Sequence, residues 1–356
     1  MNIYIYLYIL LILCFTVNNK TFKNALFYIL SFIMLCLGAF RAKSVGTDTG
    51  AWYYSNWVFT TFNPNTWNKF TPMEPGYNLF MAFTKEYISN SYWALYGLTF
   101  FIGFSVLIYV IKRYSTNSAF SLLILYIFCI YTSYYNIMRQ TLAMSFCLLL
   151  IMLYLTQRIK LIVYILGVCL VAFLIHGTCF FYCFVPCMTW LSKKDIPKKF
   201  LYTILAVSLF LFINKSVINN IILYSSSILS ARYFFYVEWG QQLESNYSLL
   251  EMLMYLAFTA ACIFFHKGNR FPELFYIYFI GVVMRASLIN VVPIVGRVCD
   301  LMFVMSVFFV PNISNSLLGR KKYVFVCIVI GIGSIVFFNS LSHNYGEIIP
   351  YKTIFQ

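Results

Sequence analysis

Acid is what this chain has least of: ten Asp and Glu among 356 residues, against 25 Lys and Arg, with only three histidines. There is no HExxH, GxSxG, Walker loop or GxGxxG, so zincins, hydrolase elbows and soluble nucleotide sites find no support. None of the eleven cysteines forms a CxxC pair. Cys179, Cys183 and Cys187 recur at i, i+4 and i+8, but no His or carboxylate accompanies them, and small polarizable packing residues are the reading in preference to a metal site. No metal or cofactor is expected. Internal repeats, low-complexity tracts and a segment of soluble-domain composition are also missing.

What is present is apolar sequence. The chain is 62% hydrophobic with a mean hydropathy of +0.81, broken into runs near the ~20 residues that a helix needs to cross a bilayer. Runs lie at 2-17, 24-40, 93-111, 118-136, 140-156, 160-176, 178-192, 200-218, 249-266, 272-292, 297-313 and 322-340. They predict an all-α polytopic integral membrane protein of about 12 transmembrane helices, within 10 to 13, forming one membrane domain over 1-356. The first run has no basic flank and no small-residue cleavage site, so it reads as a retained helix. Two long connections, 41-92 and 219-248, are expected to be extracytoplasmic, the second partly amphipathic. The first carries Trp52, Tyr53, Tyr54, Trp57, Trp67, Tyr77, Tyr87, Tyr92 and Trp93, suited to an interfacial belt or to a platform for sugar rings.

Charge gives sidedness. With the N-terminus outside, the inner connections hold 15 cations and two acids, and the outer segments ten cations and eight acids. Every inner connection is then short and basic, as the positive-inside rule requires. The basic pI is thereby explained as a topogenic signal spread over short connections, and nucleic-acid binding is not expected.

Arginine is distributed unevenly between the two faces. It supplies five of the ten outer cations (Arg41, Arg139, Arg232, Arg285, Arg297) but only four of the 15 inner ones. A planar fork of donors binds phosphate oxygens bidentately and stays ionised when partly buried, so the outer arginines suggest an anionic lipid head group as ligand. Arg139, in Asn136-Ile137-Met138-Arg139-Gln140, has almost no loop to keep it wet. It is either a cavity-facing cation or an arginine snorkelling from a helix end. Arg285 lies inside an apolar run, Arg297 is a candidate i,i+3 partner of Asp300, and Arg232 sits in an aromatic segment suited to surface anchoring. Asp48 and Glu74 occupy turn-rich settings near the interface, where a carboxylate can take a proton from a hydroxyl or grip a sugar. The alternative is a solvated charge paired with Lys43 or Lys69. His176 is a candidate base or a helix C-terminal cap.

The order of these elements resembles the EpsG-like branch of Wzy-type polysaccharide repeat-unit polymerases. Arg41 is followed by Gly46-Thr47-Asp48-Thr49 with Tyr53 or Tyr54, and then by Glu74-Pro75-Gly76-Tyr77. Next come Asn136-x-x-Arg139-Gln140, His176, Arg297 and a closing Pro350-Tyr351-Lys352. The resemblance implies polymerisation of polyprenyl-diphosphate-linked oligosaccharides on the outer face of the bacterial cytoplasmic membrane, for O-antigen, capsule or exopolysaccharide, with a chain-length regulator as a possible partner. Arg139, Arg297, Glu74, His176 and Asp48 are then the catalytic candidates. Arg41, Arg232, Arg285, Gln140, Asn136, Tyr77, Tyr53 and Thr49 are the substrate-binding ones. A ligase using the same lipid donor and a flippase for lipid-linked sugars are the competing readings.

Overall fold

Short polar residues set where several helices begin. Asn19 accepts a hydrogen bond from Phe22 N at the start of α2 (Lys20–Ala39), and Asn117 accepts from Phe120 N at the start of α6 (Ser118–Ile127). Each side chain satisfies a donor that the first helical turn leaves without a partner. The computed structural model describes residues 2–47, 49–70, 72–194, 196–214, 216–217, 248–266, 270–292 and 295–356. Asp48, Arg232 and nearly all of 219-248 lie outside the described residues.

Among the described residues every regular element is helical, and the only strand-like pairing is an isolated bridge between Arg41 and Thr353. All twelve apolar runs are helical over much of their length. Five helices are long and apolar enough to cross a membrane, or six if a bent pair counts as one span. The bent pair is α6 with α7 (Ile130–Asn136), which turn by 56° at Cys129, a non-glycine residue with φ +57°. The run at 178-192 is not a continuous α-helix: it begins as the 3-10 helix Gly177–Phe184. The i, i+4, i+8 reading of Cys179, Cys183 and Cys187 therefore fails, because a 3-10 turn holds three residues rather than 3.6.

The chain divides into two units. One comprises Met1–Pro186 with Phe337–Gln356, and the other Cys187–Val336. In the first, α2 packs antiparallel to α5 (Tyr92–Tyr114), as hydrogen bonds at both ends show. Lys112 Nζ donates to Asn24 Oδ1 at one end (2.7 Å), and Trp93 Nε1 donates to Ala39 O at the other (2.8 Å). Next to α5 lies α8 (Met138–Leu155), followed by α9 (Leu161–Leu174). Lys20, Lys23, Lys112, Arg113, Arg158 and Lys160 thus gather at one end of these helices, opposite the end where Arg41, Asn136, Arg139 and His176 lie.

The segment 41-92 is no open loop. It holds α3 (Ala51–Phe59) and α4 (Pro75–Phe83), which bury Tyr53, Trp57, Tyr77 and Met81 against Tyr92, Leu95, Tyr96 and Met138. Much of the aromatic set read as belt or sugar platform is therefore core. The C-terminal residues dock on the same end: Ala42 N donates to Lys352 O, Ile354 N to Phe40 O, and Tyr351 Oη to Leu37 O.

In the second unit, α11 (Lys198–Ile213), α12 (Leu249–Phe265) and α13 (Pro272–Leu288) are followed by α14 (Val295–Phe303) and α15 (Ser306–Ser316). Lys198 Nζ donates to Phe264 O at one end (2.8 Å), and Asn290 Nδ2 to Phe212 O at the other (3.2 Å). The last long helix, α16 (Gly319–Ser342), carries Arg320, Lys321 and Lys322 in its first turn.

Candidate functional site

Arg139 lies in the first turn of α8, where the helix dipole disfavours a cation by roughly 0.3–1 kcal/mol. Glu74 opposes that cost. Its Oε2 accepts from Arg139 Nη1 at 2.5 Å, and its Oε1 accepts from the backbone N of Gly177 at 2.9 Å. One carboxylate therefore ties the start of α4 to the start of α8 and to the turn after α9. Gly76 lets the elements meet, since a Cβ there would lie 2.6 Å from Leu174 O. Replacing Gly76 with alanine is expected to push α4 off α9 and weaken the Glu74–Gly177 bond. A lowered unfolding midpoint for Gly76→Ala in detergent would register this, and an unchanged one would show that α4 and α9 can part without cost.

Tyr53 completes the hold. Its hydroxyl accepts from Arg139 Nε at 3.0 Å, and the guanidinium lies 5.4 Å from the Tyr53 ring and 5.9 Å from the Tyr77 ring. The Tyr77 hydroxyl pairs with Thr99 Oγ1, and burial pushes its pKa up, so it stays protonated at physiological pH. Of the two tyrosines left open by the sequence, Tyr53 contacts the arginine. Tyr54 is exposed and packs its edge on Tyr92. Lys69, weighed as a partner for an acid, lies over the Phe59 ring while Glu74 pairs with Arg139; Lys43 lies over the Tyr54 ring, and its alternative partner Asp48 is outside the described residues. Arg139 is therefore fixed through Nε and Nη1. Among the described residues no hydrogen bond engages Nη2.

His176 is a cap, but of the following element. Its Nδ1 accepts from Thr178 N at 3.3 Å, which makes it the N-cap of the 3-10 helix and not a C-terminal cap of α9.

The other sequence candidates separate into two groups. Asn136 Oδ1 accepts from Thr47 N (2.9 Å), and Gly46, at φ +102°, receives its fixed place from a bond to Glu347 O. Thr49 Oγ1 donates to Lys43 O (2.8 Å), closing the same loop, and Gln140 is buried beside Arg139 on α8. Arg41 is wholly enclosed. It donates to Gly38 O (2.6 Å), Val45 O (3.3 Å) and Tyr135 O (3.4 Å), and its guanidinium packs on Tyr96, Phe100 and Tyr135.

Arg285 and Arg297 belong to the second unit. Arg285 Nη1 meets Asp300 and Nη2 meets Glu251, each at 3.2 Å, and its guanidinium lies 5.4 Å from the rings of Tyr255 and Phe303. Asp300, the i,i+3 partner expected for Arg297, is thus bonded to Arg285, while Arg297 is exposed on α14 within electrostatic reach of it. The residues that sequence reasoning missed here are Gly177, which acts through its backbone, and Glu251, which lies 34 positions from its partner.

The fold and this charged site define a helical membrane protein with an arginine held by carboxylate and tyrosine at one end of its helices. The profile of the EpsG family matches residues 24–353, and the chain belongs to the EpsG family. That family is associated with polysaccharide polymerisation, a glycosyltransferase-like activity. Neither the curated proteins nor the solved structures give a match.

Proposed function

We propose that the protein polymerises polyprenyl-diphosphate-linked oligosaccharide repeat units on the outer face of the bacterial cytoplasmic membrane. The growing glycan leaves its lipid diphosphate, and a hydroxyl of the next lipid-linked repeat attacks the anomeric carbon. The observation that carries this reading is the hold on Arg139. Its Nε and Nη1 are fixed by Tyr53 and Glu74, while no described residue engages Nη2. A guanidinium so oriented is preorganised for phosphate oxygens, and the adjoining N-terminus of α8 favours the same anion.

As the glycosidic bond to the carrier breaks, negative charge grows on the departing diphosphate. A donor fixed beforehand stabilises that charge without reorganising, an effect of roughly 3–4 kcal/mol for one such group. Glu74 then acts as the positioning residue for Arg139. Asn136 Oδ1 holds Thr47 N and Thr49 Oγ1 holds Lys43 O, and Asp48, which lies between them in sequence and outside the described residues, is a candidate proton acceptor, since both oxygens of Glu74 and Nδ1 of His176 are engaged. Arg297 and Arg232 are further candidates for the lipid phosphates, whereas Arg285, with both Nη groups on carboxylates, braces α12, α13 and α14.

The outer placement of 41-92 is supported by the gathering of basic residues at the opposite helix ends. Cysteine at Asn65, in a background without accessible thiols, is expected to react with an impermeant maleimide added to intact cells. Labelling only after permeabilisation would reverse the topology. For the activity, purified protein given lipid-linked repeats in detergent should extend them and release the carrier diphosphate without nucleotide sugar, ATP or a gradient. Movement of the lipid across liposomes with no new glycosidic bond would replace this reading by that of a flippase.

A further inference from the structure

A finger of the chain from Phe59 to Ile88 turns its large apolar side chains outward. Phe59, Phe62, Phe70, Phe83, Tyr87 and Ile88 are all exposed, Tyr87 by 69% and Phe70 by 54%. They are not scattered: Phe59 meets Phe70 at 5.4 Å, Phe62 meets Tyr87 at 5.8 Å, and Phe83 meets Tyr87 at 5.3 Å between ring centroids. Contiguous exposed apolar surface of this kind marks a place where something other than water is the neighbour.

The polar groups of the finger indicate which neighbour. Thr61 pairs with Thr66, Asn63 Oδ1 accepts from Asn65 N, and Asn68 Oδ1 accepts from Met73 N and Asn78 Nδ2. Trp67 Nε1 donates to Thr61 O, Asn56 Oδ1 accepts from Phe70 N, and Lys85 Nζ donates to Trp57 O and Val58 O. A sugar-binding surface sets an aromatic face beside side chains that point outward to meet hydroxyls. Here many of those groups bond to one another or to backbone within the finger and the helix at its base. Polar groups partly taken up within the segment and apolar rings turned out suit an irregular segment at the membrane interface. Lys69, over the Phe59 ring, and exposed Glu86 limit the depth to the head-group layer, where charges stay wet.

We propose that the Phe59–Ile88 finger lies in the head-group layer of the bilayer, on the side where Arg139 sits, as an interfacial foot. Its consequence for catalysis rests on the lipid-diphosphate reading above: α4 starts beside Glu74 and ends at Phe83, about 13 Å away at 1.5 Å per residue, so the foot sets the height of Glu74 and Arg139 relative to lipid phosphates.

Nitroxide labels at Phe62→Cys and Tyr87→Cys test the placement without any activity. The background replaces the exposed Cys187 and Cys327 with serine, and the protein is reconstituted in vesicles of phosphatidylcholine and phosphatidylglycerol. In power-saturation measurements, both labels are expected to collide with oxygen several-fold more than with a water-soluble nickel chelate. Greater access to the chelate at both positions would overturn the foot and leave a water-facing loop. Chelate access that falls only when lipid-linked oligosaccharide is added would overturn it in favour of a glycan platform. If no glycosidic bond forms in the polymerase assay while the labels remain lipid-exposed, the placement stands and only its catalytic consequence falls.

Discussion

Arg139→Lys is expected to lower the rate of carrier-diphosphate release by roughly 10²–10³-fold while the protein remains inserted and folded. Charge is conserved in this substitution, but geometry is not. Arginine reaches Tyr53 through Nε and Glu74 through Nη1 and still has Nη2 to offer a ligand. A lysine ammonium is a single point with no fixed fork, and in meeting Glu74 it loses the other two directions. Glu74→Gln keeps an oxygen that can accept from Gly177 N but removes the charge that orients the guanidinium. Because both changes act on one orientation, the double variant is expected to lose much less than the product of the two single losses. Single-turnover release of the carrier, measured across pH, checks this. The Glu74→Gln loss should be independent of pH, as befits a positioning residue, whereas a loss that shrinks as pH rises would make Glu74 the proton acceptor. Multiplicative losses, or an Arg139→Lys variant as fast as the parent, would remove the Arg139–Glu74 pair from the site.

The helical class and the uneven spread of charge were legible because both are written in composition along the chain: twelve apolar runs, and a net positive charge concentrated in alternate connections. Arg139, Glu74 and Tyr53 were legible as candidates because a cation with almost no loop, and an acid before Pro75-Gly76, are unusual in so apolar a sequence. Their mutual contacts were not, since Glu74 and Arg139 are 65 positions apart and the turn donor is a backbone N–H that any residue type could supply. The bend at Cys129 and the 3-10 start at Gly177 were hidden for a related reason: both interrupt runs whose hydropathy is continuous. Arg41 shows the limit most clearly. An arginine closing a span just before a Gly-Thr-Asp-Thr loop reads as a ligand-binding fork, and only the packing reveals that its donors face backbone carbonyls.

Arg41→Lys is accordingly expected to destabilise the protein on the order of 2–3 kcal/mol, because hydrogen bonds from a charged group are worth roughly 1.5–3 kcal/mol each and lysine cannot span Gly38, Val45 and Tyr135 together. Stacking of the planar guanidinium on Tyr96, Phe100 and Tyr135 is weakened as well. The pH dependence carries a definite sign. Burial pushes the Arg41 pKa down, yet an arginine at this height stays protonated through the neutral range, so the parent shows no dependence from this position. A lysine in the same enclosure has its folded-state pKa depressed below its unfolded value of about 10.4. Between those two values the unfolded chain binds more protons than the folded one, so the stability of the Arg41→Lys variant should rise with pH through that window. Unfolding midpoints in mixed micelles, compared between variant and parent at pH 7 and pH 9.5, test this: the deficit should narrow at the higher pH. Activity per folded molecule separates the structural role from the ligand-binding one. If Arg41 braces the loop, the folded fraction of Arg41→Lys retains most of the parent rate. Equal midpoints combined with a collapsed rate would return Arg41 to the lipid phosphate.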